Sequence, residues 1–567
     1  MVHTMSRPSE TEQELRRAAE AGEVLDLSRR LDNRLPANAI RDLLRSGDVD
    51  PRGIQVVGAR ITGQLDLSFI RTSTPLRLDN CLFEEPVALH DTELPALSLD
   101  GSTLPALGAE NLRTRYLTME NARCTGILDL ENAHIDGSLL LAGTTAWPLF
   151  GTGLRVSGSV QADRLFARRV WLDGCDIGGD VDLTEAAIVA ESGMAFIANN
   201  AKIGGDLLLN RAVVKAVLGA VVLMDATGRG LQMRGTVLRS AESWALCLDG
   251  AHFTQEVRLK DGFNARASGD GDAVRLTDTR IGAGLILDGS VRSHRGQALV
   301  LHRTAVGASI LITDAEIVAS SNRSAVDLTD AVVHGEFYFQ ATKLINHGDG
   351  EELELTGTKV NNTLFIREWE LMEAEDFTVT LDGLTYPNPP VNTNVWLRML
   401  RDHTNQYEAQ PYQQLAAVHR AAGHEHTARK VLIAQQKDLR RRGDPGNKLW
   451  HWFLGVTLGY GYEPSRAVAG LLITFVLALC LVWTAGANNG LTPAKDRPAD
   501  ACSPVNRISL AADLAIPLVK LGGTPRCELA NGPAGQWATG AGWGVQILGW
   551  SFATLSVAGF TGLVRKS

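Results

Sequence analysis

Pairs of apolar residues separated by one position, Leu-x-Leu or its Val, Ile and Phe equivalents, recur along this chain from Ile54 to Val379. In the first half they begin at Ile54, Leu65, Leu76, Val87, Leu97, Leu107, Leu117, Leu128, Leu139, Leu149, Val160, Val170 and Val181, every ten or eleven residues. In the second they begin at Phe196, Leu207, Val221, Leu231, Leu246, Val257, Val274, Leu285, Leu299, Ile310, Val326, Phe337, Leu353, Leu364 and Val379, in alternating steps of 10 or 11 and 14 to 17. Residues two apart on a strand share a face, so Leu65 and Leu67 point inward while Asp66 points to solvent. A unit this short cannot bury its own inner face and must stack on its neighbours, which predicts a solenoid. Two pairs make one coil of about 21 to 27 residues, and the 28 pairs make about 14 coils. The longer steps are read as loop insertions. A step of 11, not a multiple of six, argues against a left-handed hexapeptide helix, and the expected fold is mainly β, a right-handed β-solenoid.

Upstream of many pairs stands a fuller phrase, small-x-apolar-x-Gly: Ala59, Ile61, Gly63; Ala133, Ile135, Gly137; Cys175, Ile177, Gly179; Ala201, Ile203, Gly205; Ala331, Val333, Gly335. The glycine is predicted to turn a corner, and the small residue to let one coil approach the next.

Around the repeat, periodicity and capping signals predict helices. Residues 1–52 read as a helical cap, with helices over Thr11–Ala21 and Ala37–Leu44 closing the first open strand edges; no apolar run of signal-peptide type occurs there. The solenoid takes residues 53–384. Residues 385–448 read as a helical hairpin neck, Pro411–Ala422 and His426–Arg442 with Gly423 as the stop, its stripe of Leu415, Val418, Ala428, Val431 and Leu432 suiting a single tetratricopeptide-like unit. Residues 449–464, with Trp450, Trp452, Phe453, Leu454 and Tyr460, read as an interfacial helix.

The C-terminal part predicts a two-helix membrane anchor. Ala467 to Ala487 holds 21 uncharged residues, about 30 Å of helix, which spans a bilayer core. Transmembrane helices are assigned to 465–487 and 541–564, with an extracytoplasmic loop at 488–540. Arg440, Arg441, Arg442, Lys448 and Arg466 precede the first span and Arg565 and Lys566 follow the second, which places the solenoid in the cytoplasm. The 508–521 segment is too short to cross. It reads as a loop helix or, alternatively, as a re-entrant pore helix, although Leu518 to Gly522 lacks a carbonyl-filter signature. Ala558 and Gly562 permit helix association and hence a homo-oligomer.

Charge sharpens the division. Residues 53–382 carry 44 acidic and 28 basic side chains, a difference of −16, whereas residues 383–486 carry 6 and 11, a difference of +5. A basic neck suits an anionic membrane surface. An acidic solenoid is a poor match for nucleic acid, and the alternative of a DNA mimic needs denser charge.

Of the seven cysteines, Cys81, Cys124, Cys175 and Cys247 fall in the repeat as buried filler, Cys480 lies in the first span, and Cys502 and Cys527 fall in the external loop, where a disulfide is permitted. The outward Asp66, Asp129 and Asp182 lie on separated coils and read as solvated positions rather than a catalytic pair. His419, His424 and His426 surround the hairpin turn, where helical geometry opposes a shared metal. No catalytic, cofactor-binding or metal residues are assigned.

The glycine phrases look like diverged pentapeptide-repeat coils. With Gln410-Pro411-Tyr412-Gln413-Gln414-Leu415-Ala416, the run from Ala421 to Leu432, and Gly459-Tyr460-Gly461-Tyr462, nearly the whole chain resembles poorly characterised bacterial two-pass membrane proteins often labelled membrane-associated oxidoreductases. That resemblance implies a bacterial cytoplasmic-membrane protein and, by its label, redox activity. Yet no Gly-x-Gly-x-x-Gly opens a helix after a strand, and no cofactor is expected. The expected function is a membrane-tethered scaffold that binds another protein; the alternatives are a channel-like effector and the oxidoreductase of the label.

Overall fold

A computed structural model describes residues 10–367, 377–442, 465–494, 502–516 and 527–560. The chain divides into two units, Met1–Asn405 and Gln406–Ser567.

The first unit is a parallel β-solenoid of about 14 turns. The apolar pairs alternate between two sides of each coil. Leu117, Leu139, Val160 and Val181 stack in register on one, and Leu107, Leu128, Leu149 and Val170 on another. Two further sides lie between them, so each coil has four. In the fifth coil, for example, side 1 carries Leu139–Leu140, side 2 Thr145–Ala146, side 3 Leu149–Phe150 and side 4 Arg155–Val156. The inward residues of all four form the core.

The longer coils keep the step from side 1 to side 2 and place their extra residues after it: side 2 lengthens, and bends at 241–245, 268–273, 294–298, 320–325 and 347–352 lead to side 3. In the later coils sides 1 and 2 also fuse into single strands at Val257–Ala267, Leu285–Ser293, Ile310–Ala319 and Phe337–Asn346. Strand residues pair with the coils above and below, so backbone groups that a loop would leave to solvent are satisfied in the ladder.

The phrase glycines correct the reading of the corners. Of the five, only Gly63 has a left-handed backbone, φ +77. The left-handed corners fall instead two positions after a pair, at Asn121 (φ 54), Asn132 (φ 53), Asn200 (φ 54) and Asp278 (φ 55), residue types that tolerate this region. Gly137, Gly179, Gly205 and Gly335 are glycines because coils touch there: a Cβ on Gly137 would lie 2.6 Å from the Arg115 carbonyl oxygen, and one on Gly335 2.7 Å from the Ala308 carbonyl carbon. The small position of the phrase behaves as expected, Ala133, Cys175, Ala201 and Ala331 all being buried. Threonine replaces it in some coils and donates its hydroxyl to the coil below, Thr279 to the Leu248 carbonyl at 2.8 Å and Thr358 to that of Leu328 at 2.7 Å.

The N-terminal cap is not purely helical. Helices α1 (Glu10–Ala21) and α2 (Ala37–Ser46) bracket two strands, Val24–Asp26 and Arg34–Pro36, that pair with Gln55–Val57 and Arg60–Thr62 and begin the ladder. At the other end, helix α3 (Thr393–Asp402), absent from the sequence reading, follows the last coil. Asn392 caps it by accepting from the amides of Asn394 and Val395, and Trp396, Met399 and Leu400 are buried. The Val379 amide donates to the His403 carbonyl at 2.8 Å.

In the second unit, α4 (Ala409–Ala421) and α5 (Glu425–Arg442) form the hairpin, and Gly423 takes φ +80 at its turn. Leu415, Val418, Ala428 and Val431 are buried, with Ile433 rather than Leu432 completing the stripe. Helices α6 (Ser465–Ala487), α7 (Pro504–Ala515) and α8 (Pro533–Phe560) pack on one another through Ala478, Val482, Ala511 and Ala515, and Gly470 faces Phe552. Helix α8 begins within the segment read as the loop to residue 540. Only α6, among the described residues, is long and apolar enough to cross a membrane. The interfacial helix at 449–464, the end of the 508–521 segment, Gly562, Arg565 and Lys566 lie outside the described residues.

Candidate functional site

Each outward aspartate noted in the sequence is occupied by its own turn. The carboxylate of Asp66 accepts from the Ser68 amide at 3.0 Å, that of Asp129 from Glu131 at 3.0 Å, and that of Asp182 from Thr184 at 2.9 Å. These are Asx turns, the ordinary work of Asp before a corner. Hydrogen bonds from Ser68 hold Asp66 below its usual pKa, whereas burial raises that of Asp129. Asp66 and Asp129 share side 3, and Asp182 lies on side 1.

The histidines do not converge either. His419 is buried and its ring centroid lies 5.9 Å from that of His424. Burial, then the neighbouring His424, lowers its pKa. No group of three His, Cys, Asp or Glu among the described residues is placed to hold a metal ion. The solenoid thiols are buried, and burial pushes Cys81 up to about 11 and Cys175 and Cys247 to about 12, so none is a thiolate nucleophile at neutral pH. Cys502 is joined to Cys527 by a disulfide.

What the sequence reading missed is written on the outside of the ladder. On side 2, Lys215, Arg239, Arg266 and Arg292 stand in register on four successive coils, all outward and exposed. On side 1 the outward row turns apolar over the last coils, Ile286, Leu311, Tyr338 and Phe365 in register, with the rings of Tyr338 and Phe365 stacked at 4.4 Å. Earlier on side 2, Trp147 packs on Phe166, and the Arg168 guanidinium lies 4.4 Å from the Trp147 ring centroid. The cation spacings of 24, 27 and 26 residues become a row only once the length of each coil is known.

Near the C-terminal end of side 3, burial and then the neighbouring Asp327 and Glu351 raise the pKa of Glu354. The folded state therefore holds the Glu354 proton more tightly than the unfolded chain, and ionising it opposes folding. Glu354→Gln is expected to stabilise the last coils at neutral pH, and the gain to vanish as pH falls below about 4, where the unfolded carboxyl is also protonated. Amide exchange over residues 326–366 at both pH values checks this.

Comparison with protein-family models, curated proteins and solved structures finds no match for this chain.

Proposed function

We propose that this chain is a membrane-tethered scaffold, a right-handed, pentapeptide-repeat-like β-solenoid held on the cytoplasmic side of a bacterial membrane by two helical spans, which recruits another protein. The observation that carries this reading is the division of labour within each strand. Inward positions are given over to packing and the singled-out aspartates to turns, while the outward positions carry extended rows of cationic and apolar side chains. Such rows suit recognition over a large surface, and solenoids use their faces in this way.

Support for the tether comes from α6, which leaves Leu472, Ile473, Val476, Leu477 and Trp483 exposed, a surface that water solvates poorly. Helix α8 offers the second span: its 28 residues carry no charge and expose Trp537, Trp543, Ile547 and Trp550. In the sequence, basic residues precede α6 and follow α8, which by the positive-inside rule assigns both flanks to the cytoplasm, and the Cys502–Cys527 disulfide suits an oxidising compartment opposite. The likeness to two-pass bacterial membrane proteins agrees with this topology. A second reading, a channel-like effector, draws on α7, a 12-residue helix packed among longer ones.

A photoactivatable residue placed at Leu311 or Arg239 of the full-length protein in its own membrane is expected to crosslink one protein specifically. Ion conductance of the purified protein in bilayers would favour the channel. A co-purifying flavin or nicotinamide absorbance would favour an oxidoreductase.

A further inference from the structure

We infer that the row Lys215, Arg239, Arg266 and Arg292 is the docking site for an acidic α-helical segment of a protein partner, laid along the solenoid axis. This deepens the scaffold reading and rests on it. Like charges directly opposite on neighbouring strands repel and weaken a sheet; Arg34 over Arg60, Arg234 over Lys260 and Asp327 over Glu354 are pairs rather than a row of four, and several other cations meet an acid of the adjacent coil. Arg211 pairs with Glu185 of the coil below at 2.7 Å, Arg229 with Asp206 at 2.8 Å, and Arg303 with Asp278 at 2.7 Å. Among the described residues, no carboxylate is paired with Lys215, Arg239 or Arg266; only Arg292 has one, Glu316 at 2.6 Å, which also faces Lys343. The corners on either side add no spare acid at Asp261 or Asp270, which are held by Arg234 and Arg295. On the same strands the other outward positions are Val213, Val237, Asn264 and Ser290, none of them charged.

The dimensions select the occupant. Adjacent strands are about 4.8 Å apart, so the row runs for roughly 14 Å. An α-helix presents one carboxylate per turn about every 5.4 Å when acids recur at i, i+3 or i+4, close enough for flexible Lys and Arg side chains to follow over three or four turns. Apolar residues beside those acids would meet Val213 and Val237. A long polyanion or a membrane surface extends far beyond the row and meets a solenoid whose net charge over residues 53–382 is −16; a short acidic helix ends where the cations end.

The test uses full-length protein in detergent micelles and a fluorescent synthetic helix with glutamate once per turn, read by anisotropy. Binding is expected, weakening steeply with salt and at least tenfold in R239E/R266E, whereas R155E on side 4 leaves it unchanged. R239K/R266K should retain it, and a lysine-bearing helix should bind the R239E/R266E variant. Circular dichroism reports whether the variants fold, and R239Q/R266Q gives the same reading without charge reversal. Equal binding of a glutamine version of the helix, equal binding by the R239Q/R266Q variant, or tighter binding of a single-stranded oligonucleotide or of anionic vesicles would overturn the assignment. A partner crosslinked only through another side would overturn it while leaving the scaffold reading intact.

Discussion

Replacing Phe253 by alanine is expected to open the solenoid at its eighth and ninth coils, at a cost of about 3–5 kcal/mol. Side 4 presents one large inward residue per coil, Ile177, Ile203, Phe253, Ile281 and Val306 among them, but Gly228 stands in the same column directly beneath Phe253. The Phe253 ring covers that gap: a Cβ placed on Gly228 would lie 3.2 Å from it. One aromatic side chain therefore fills the space of two positions, and truncating it leaves a void that neither coil can close without breaking the parallel register. Gly228→Ile alone should also destabilise, by driving a side chain into the ring. The pair Gly228→Ile with Phe253→Ile restores the ordinary column and should recover more than half of either loss, because the two sites share one volume. Amide exchange of the strands at Leu246, Val257 and Val274, compared with strands near Leu139, checks both statements. Equal loss at distant coils would mean that the solenoid melts as a whole rather than coil by coil.

The same columns explain what could be read from the sequence. A one-residue slip would turn every inward Leu to solvent, so the 10- and 11-residue steps carry the register plainly. The first strand was hidden although Leu25-Asp26-Leu27-Ser28 repeats Leu65-Asp66-Leu67-Ser68 letter for letter. Helix α2 interrupts the train between them, and periodicity does not see across an insertion. Helix α3 left local signals, Asn392 as cap and Trp396, Met399 and Leu400 at helical spacing, in a segment otherwise dominated by Pro and Asn. The cationic row left no local signal at all. Lys215 and Arg239 are neighbours only because their coils differ in length, and outward residues are not constrained by packing to repeat. The reading of Asp66, Asp129 and Asp182 as outward and solvated missed their turn-forming role, which depends on a corner three residues later, at Phe69, Asn132 and Glu185.

Replacing Gly205 by alanine is expected to damage the solenoid more than a methyl added at an uncrowded corner. Gly137, Gly158, Gly179 and Gly205 form a column in which each amide donates to the carbonyl of the glycine one coil below, at 2.8, 2.8 and 2.9 Å. A Cβ on Gly205 would lie 2.7 Å from the Asp180 amide nitrogen and 2.7 Å from the Gly179 carbonyl carbon. These are backbone atoms of the coil below and have no rotamer to change, so the coils must part and the hydrogen bond stretch. Overpacking against such a rigid neighbour costs about 1–3 kcal/mol or more. Gly174 supplies the control. It has φ +63 with nothing within 4 Å of where its Cβ would sit, so Gly174→Ala carries only the backbone penalty of about 1 kcal/mol. Limited proteolysis should cut the Gly205→Ala chain between its seventh and eighth coils while the Gly174→Ala chain stays resistant. Equal sensitivity of the two would mean that these glycines serve conformation alone, and that the close approach of coils at this column places no limit on the sequence.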